Sequence, residues 1–504
     1  MTILIKGVQI LSGGERIAEK SDIFLSGDRI SAIGNFPAKI ADYVIDGQGC
    51  YVSPGFIDVN TDSDHYLSIF SNPLQDDFLK QGVTTIIGGQ CGSSLAPLIY
   101  GRLDSIRKWT DITKFNISWH ELVEFLEVIR HRPLGVNFGT LIGHSTLRRD
   151  IIGEEVRAMT TKELRVFEHL LVGAMDQGGF GMSTGLSYAH STATPKEELE
   201  RFAHAVEQKN GVYTTHLRDQ EDGLLQSLEE TTALAEKVGV RTVISHFLPI
   251  RGFEKNYKAA LQKLSELPEK TELYFDLSPF LTSIIPLYLF LPPWARKGGL
   301  LEMKEALEDE WLQKKIQKEI PAIDPNSIII SRAEKNDLLV GRSLKDCMEM
   351  YDTEDVRIAF VKLMLATELK ASVFYENINA DLLTEAIGHP RCLIGSNAAS
   401  LSKTAEVILK PERARRTFPK FLSMVEEKRI MPIEKAIERI TKKPALLFNI
   451  EHRGEIKEGF FADLTGFRNG EILFTIVNGH VAFENHEVQS RPHGKVLRHR
   501  VAKL

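Results

Sequence analysis

Between residues 55 and 446 the chain alternates short apolar runs with stretches whose apolar residues recur at helical spacing, and few folds accept that alternation. The short runs are 55–60, 84–89, 136–142, 179–183, 212–216, 241–246, 273–277 and 391–396. Segments between them, such as 196–208 and 224–237, carry the helical period. Repeated strand–helix units predict an α/β fold with a parallel sheet. Eight candidate strands favour a closed (β/α)8 TIM-like barrel over an open sheet. Two further strand-like runs, 327–331 and 372–375, leave the strand count open. Aromatic and proline clusters followed by a charged helix mark 279–325 as an insertion.

The two ends are written differently. Residues 3–10, 18–25 and 29–33 are short apolar runs split by Gly, Ser and Asp turns, as hairpins require. The C-terminal end repeats the style, with Asn478-Gly479 between two β-rich runs, a strong hairpin signal. Chain ends often lie close together. The expected organisation is therefore a small β-sandwich domain from 1–54 plus 447–504, and a barrel over 55–446. The basic stretch 493–504 reads as a loose, solvated tail.

Composition narrows the function classes. The 504 residues carry 62 Lys and Arg against 68 Asp and Glu, a net charge of −6. That balance argues against nucleic acid, which needs a basic face. The opening Met1-Thr2-Ile3-Leu4-Ile5-Lys6-Gly7 reads as a strand and not as a targeting signal. The most apolar stretch, 283–294, is short for a membrane span and contains Pro286, Pro292 and Pro293. Four cysteines, Cys50, Cys91, Cys347 and Cys392, form no CxxC pair, which points to a reducing, cytoplasmic setting without disulfides.

In such a barrel the chemistry sits at the C-terminal ends of the strands. Those ends carry Asn60, Asp62, Asp64 and His65 after the first, Cys91 after the second, His144 after the third, His216 after the fifth, His246 after the sixth and Asn397 after the last. Taken singly, each histidine reads as a hydrogen-bonded core or rim residue, and Cys91 as a small buried apolar residue. Together, a thiolate and two imidazoles suit zinc, which accepts both ligand types and keeps a position open when three side chains hold it. His216 and His246 lie 30 residues apart, one strand–helix unit, so they come from adjacent strands. No GxSxG elbow is present, and the glycines from Gly178 to Gly181 precede a strand and open no helix.

Several motifs make the sequence resemble a known family. They include Pro54-Gly55-Phe56-Ile57-Asp58, Gln90-Cys91-Gly92-Ser93-Ser94-Leu95-Ala96-Pro97, Gly143-His144-Ser145 and Gly181-Met182-Ser183-Thr184-Gly185. Thr215-His216-Leu217-Arg218, Ser245-His246, Leu291-Pro292-Pro293-Trp294, Gly395-Ser396-Asn397 and Arg413 continue the series in order. They resemble the amidohydrolase superfamily, in its N-acyl-D-amino-acid deacylase (D-aminoacylase) branch, from about residue 3 to 480. The resemblance implies a small-molecule substrate, an N-acyl amino acid or related amide, hydrolysed at its C–N bond with the help of one zinc ion. It places that ion on Cys91, His216 and His246, and a substrate carboxylate on Arg413.

The same resemblance exposes departures. The family's His-x-His after strand one reads Asn60-Thr61-Asp62 here, and the catalytic aspartate after strand eight is replaced by Asn397. An amide has no titratable group near neutral pH, and the proton transfer an aspartate performs is worth about 10²–10⁴-fold. The family's strand-seven tyrosines match Ser278 and Phe280, a lysine matches Leu248 and a loop histidine matches Pro411. Asn60, Asp62 and His65 are the candidates for substitute ligands or a substitute base. Three functions follow as expectations: a zinc amidohydrolase, with Ser278 and Arg413 at the substrate; a barrel that has lost its chemistry and binds a ligand or partner; or a hydrolase of cyclic amides.

Overall fold

The computed structural model describes residues 1–500 except 108, 111, 113–115, 297–299, 334–335 and 403–408. The chain forms two compact units, one of Met1–Pro279, Asp381–Ser402 and Glu412–Leu504, the other of Phe280–Ala380 and Lys403–Pro411.

The first unit opens with β1 (Thr2–Ser12), β2 (Glu15–Ser26), β3 (Arg29–Gly34), β4 (Tyr43–Asp46) and β5 (Tyr51–Pro54). Barrel strands follow: β6 (Phe56–Asp58), β7 (Val83–Gly88), β8 (Asn137–Thr140), β9 (Ile142–Gly143), β10 (Gly181–Gly185), β11 (Val212–His216), β12 (Arg241–Ile244) and β13 (Leu273–Leu277). After the second unit, with β14 (Thr282–Pro286), β15 (Ile328–Arg332) and β16 (Ser372–Glu376), the barrel resumes at β17 (Cys392–Ile394). The chain ends on β18 (Leu464–Arg468), β19 (Glu471–Val477), β20 (His480–Glu484) and β21 (Glu487–Val488).

All barrel pairings are parallel, in the orders β6-β7-β8 and β17-β13-β12-β11-β10-β9. β8 and β9 are halves of one strand, interrupted at Leu141, whose N–H donates to the Gly88 carbonyl. The ring closes between the first and last strands. Thr61 bridges Ala398 in parallel, the Asn397 N–H donates to the Asn60 carbonyl at 2.8 Å, and the Asp62 N–H donates to the Ala398 carbonyl at 2.9 Å. Every strand expected from the alternation is present. Inward residues Ile57, Ile87, Leu141, Phe180, Val212, Val243 and Leu393 form one buried cluster with Leu447 and Phe448, so the barrel is filled and not a pore. Outside it, the helix Lys196–Gln208 buries Leu199, Phe202, Ala203 and Val206, the stripe its spacing predicts.

The terminal strands join in one nine-stranded sheet, ordered β21-β20-β19-β18-β5-β1-β2-β3, with β4 parallel to β1. This is the β-sheet domain built from both chain ends. Asn478 and Gly479 both take positive φ, 47° and 77°, as a tight hairpin turn between β19 and β20 demands.

Two expectations change. The stretch 279–325 is only the start of the second unit, which continues to Ala380, because β14 finds its partner in β16 and β16 pairs in turn with β15. The runs near 327–331 and 372–375 therefore belong to this sheet and not to the barrel. The tail read as loose is instead pinned. Phe138 donates to the Lys495 carbonyl at 3.0 Å and accepts from Leu497 at 2.7 Å, and the His499 N–H donates to Gly178. The edge of β8 that no barrel strand pairs along Phe138 supplies the reason, since backbone groups in a core need partners. Residues 501–504 lie outside the described residues. Among the described residues no helix is long and apolar enough to cross a membrane.

Candidate metal centre

Cys91 follows β7, His216 ends β11 and His246 follows β12, so three C-terminal strand ends deliver the side chains that spacing singled out. Two glycines let the Cys91 loop approach. Gly89 and Gly92 sit at φ 74° and 77°, and a Cβ on them would fall 2.2 Å from the Leu141 carbonyl oxygen and 2.8 Å from the Gly185 nitrogen. Cys91 and His246 are themselves left-handed, at φ 52° and 38°. Non-glycine residues pay about 1–3 kcal/mol each for such a backbone and hold it only where neighbours enforce it.

The ligand atoms of Cys91, His216 and His246 all lie within 4.8 Å of one another. Cys91 Sγ is 3.4 Å from His246 Nε2, and the two imidazole rings stand nearly perpendicular with centroids 4.3 Å apart. Tetrahedral zinc, with bonds of about 2.3 Å to sulfur and about 2.1 Å to nitrogen, spaces its donors by roughly 3.5 Å. The donor set and its spacing fit zinc. Burial pushes the His246 imidazole down to about 4, which keeps it neutral, the form that binds a metal. His216 Nε2 also lies 3.0 Å from the Ser187 hydroxyl.

The strand-one residues surround this trio without being free. Asn60 is fully buried, and its Nδ2 donates to both oxygens of Asp276, at 3.1 and 3.2 Å. Asp276 Oδ1 accepts the His246 backbone N–H at 3.0 Å. Burial raises the Asp276 carboxyl to about 7, against the pull of these two donors. Asp64 Oδ2 accepts the Gly89 N–H at 2.6 Å. His65 has both ring nitrogens engaged, Nδ1 with Asp62 Oδ1 at 3.1 Å and Nε2 with the Ser93 carbonyl at 3.0 Å. Burial opposes charge on both members of the Asp62–His65 pair. The charge of Asp64, followed by the contact with Asp62, lifts the His65 imidazole above its ordinary range, and the contact with His65 holds the Asp62 carboxyl below its own.

Asn397 stands partly exposed at the end of the last strand, left-handed at φ 45° and tied by its N–H to Asn60. Arg413 opens the helix Arg413–Lys428 and is only 7% exposed. No described carboxylate lies within ion-pair distance of its guanidinium, and its Nε has no hydrogen-bond partner among the described residues. Burial lowers the Arg413 guanidinium, against the charge of Asp62. Ser278 is buried just beyond β13. Leu248 is buried as well. His144 serves the core, its Nε2 2.9 Å from Glu198 Oε1, which also accepts from Arg148. Asp276 escaped the sequence reading. It is the penultimate residue of β13, 30 residues after His246, and a carboxylate near the end of an otherwise apolar strand is the signal that could have found it.

No family model matches the sequence. Curated relatives do, over nearly the whole chain. An N-acyl-D-aspartate deacylase of Alcaligenes xylosoxydans xylosoxydans is 27% identical over 477 residues, 94% of this chain and 86% of the relative. A D-aminoacylase of the same organism is 26% identical over 480 residues, 95% of this chain and 90% of the relative. Among solved structures, the N-acyl-D-glutamate deacylase of Bordetella bronchiseptica, complexed with zinc and a phosphonate inhibitor that mimics the tetrahedral intermediate, superposes with a TM-score of 0.80. It is 24% identical and matches over 98% of this chain and 99% of its own. The filled eight-stranded barrel joined to a sheet from both chain ends is the amidohydrolase fold. Over nearly its whole length the chain is similar to D-aminoacylases and N-acyl-D-amino-acid deacylases, at 24–27% identity.

Proposed function

We propose that this protein is a metal-dependent amidohydrolase that cleaves the amide C–N bond of an N-acyl-D-amino acid, with one zinc ion on Cys91, His216 and His246. The observation that carries the reading is the convergence of a thiolate and two imidazoles within 4.8 Å at three strand ends. Zinc held there supplies Lewis acidity, polarising a carbonyl and lowering the pKa of a water to about 7. Arg413, buried and without a carboxylate partner among the described residues, offers a planar fork that fits a substrate carboxylate bidentately. Its fixed place orients the scissile amide toward the trio. Ser278 adds a hydroxyl at the same end of the barrel. Names of the relatives carry the D configuration and the N-acyl amino acid class.

Asn397 sets the limit of the chemistry. Its amide can orient a substrate by hydrogen bonds but cannot take up or return a proton. That observation favours a second reading, a barrel of this family that keeps its metal and its ligand pocket while turning over slowly or not at all. Metal analysis of purified protein, together with hydrolysis of matched N-acyl-D- and N-acyl-L-amino acids, separates the two. Zinc near one equivalent, D-selective turnover and an inactive Cys91→Ala support the first. Zinc with ligand binding and no turnover supports the second, and full activity without metal overturns both.

A further inference from the structure

Two of the three ligand residues of the proposed centre, Cys91 and His246, rest on left-handed backbone that non-glycine residues avoid. Something must hold them there. For His246 the holder is Asp276, whose Oδ1 accepts its backbone N–H and whose two oxygens are themselves gripped by Asn60 Nδ2. For Cys91 the backbone groups that are held flank it in sequence. Asp64 accepts the N–H of Gly89, and His65 Nε2 meets the carbonyl of Ser93. All of these side chains except Asp276 come from one short stretch after β6, and all are buried. The same stretch is stitched to the end of the last strand through Asn60, Thr61 and Asp62, so it cannot drift.

We infer that the segment from Asn60 to His65 is a brace of positioning residues, setting the backbone of both Cys91 and His246 for metal binding. The inference rests on the metal-centre reading above and deepens it. Asn60 and His65 then act through other residues and not as ligands, because the hydrogen bonds that define their orientation point to Asp276, Asp62 and the Ser93 carbonyl. Partners of this outer kind typically affect metal affinity by about 10- to 100-fold.

The test is zinc affinity, measured by competition with a chromophoric chelator, on the unmodified protein, Asn60→Ala, His65→Ala, Asp276→Ala and the Asn60→Ala/Asp276→Ala double variant. Each single variant is expected to bind zinc about 10- to 100-fold more weakly. The double variant is expected to be no weaker than Asp276→Ala alone, because Asn60 reaches His246 only through Asp276. In cobalt(II)-loaded protein, His65→Ala is expected to alter the thiolate-to-cobalt absorption, which a stability defect elsewhere would leave unchanged. Metal-free variants are compared by circular dichroism, and Asn60→Ser carries the same expectation should Asn60→Ala not fold. Equal zinc affinity in folded single variants overturns the brace. Unmodified protein that binds no zinc is a different result and overturns the metal-centre reading beneath it.

Discussion

Nδ1 of His65 lies 3.1 Å from a carboxylate oxygen of Asp62, and the opposite ring nitrogen lies 3.0 Å from the carbonyl of Ser93. Both neighbours are hydrogen-bond acceptors, so a ring that satisfies both carries both protons and is an imidazolium. A buried charge pair follows, and its pH dependence has a definite sign. His65 is raised above its ordinary 6.5, so its contribution is complete below 6.5 and is lost as pH rises through the higher folded value. Asp62 is lowered below its ordinary 3.8, so its contribution is complete above 3.8 and is lost as pH falls through the lower folded value. Between 3.8 and 6.5 the pair is fully stabilising. Metal-free protein is expected to lose Tm above pH 6.5 more steeply than His65→Gln. Parallel Tm profiles for the two proteins would show that the pair is not charged.

Cys91 is the residue whose removal separates a metal site from a core thiol. Buried cysteines contribute as small apolar residues. On that role alone, Cys91→Ala would cost some stability and nothing else. As a ligand it is expected to take zinc content from near one equivalent to near none and to abolish hydrolysis. Cys50, Cys347 and Cys392 serve as controls, since burial raises their thiols to about 11, 11 and 12 and none belongs to the trio. Alanine at those three positions is expected to leave zinc content unchanged by elemental analysis.

Asn397→Asp introduces a titratable group at the end of the last strand without altering side-chain length. General acid–base help of this kind is worth about 10²–10⁴-fold, and kcat/KM for the preferred N-acyl amino acid is expected to rise within that range. Zinc affinity is expected to stay the same, because Asn397 lies outside the trio. An unchanged kcat/KM would mean that proton transfer at this position does not limit the reaction.

The barrel was legible because its strands are short, apolar and separated by helices of regular period, a local pattern that tertiary contacts reinforce. The trio was legible for the same reason, since strand ends converge in a closed barrel wherever they lie in sequence. Asp276 was less so: a carboxylate in an apolar strand marks it as unusual, but its tie to His246 runs through a backbone N–H, which leaves no mark on residue identity. Nor was the tail around Gly494 to His499, whose place depends on the edge of β8 and not on anything in its own basic composition. The extent of the second unit was hidden likewise, since β14 pairs with a strand some way along the chain.

Arg413 distinguishes a substrate-binding role from a structural one through opposite effects on stability and binding. A guanidinium buried without an ion pair pays a desolvation cost, which lowers its own pKa and which an apolar side chain of similar size avoids. Arg413→Met is therefore expected to keep or raise the Tm. The same change removes the fork for a substrate carboxylate, a charge-assisted contact worth about 1.5–3 kcal/mol, so KM for an N-acyl amino acid is expected to rise by about 10- to 100-fold. Against the corresponding N-acyl amino acid amide, which lacks the carboxylate, the variant and the unmodified protein are expected to perform alike. A fall in Tm with equal loss on both substrates would assign Arg413 to the scaffold, and calorimetry beside steady-state kinetics on the two substrates decides between them.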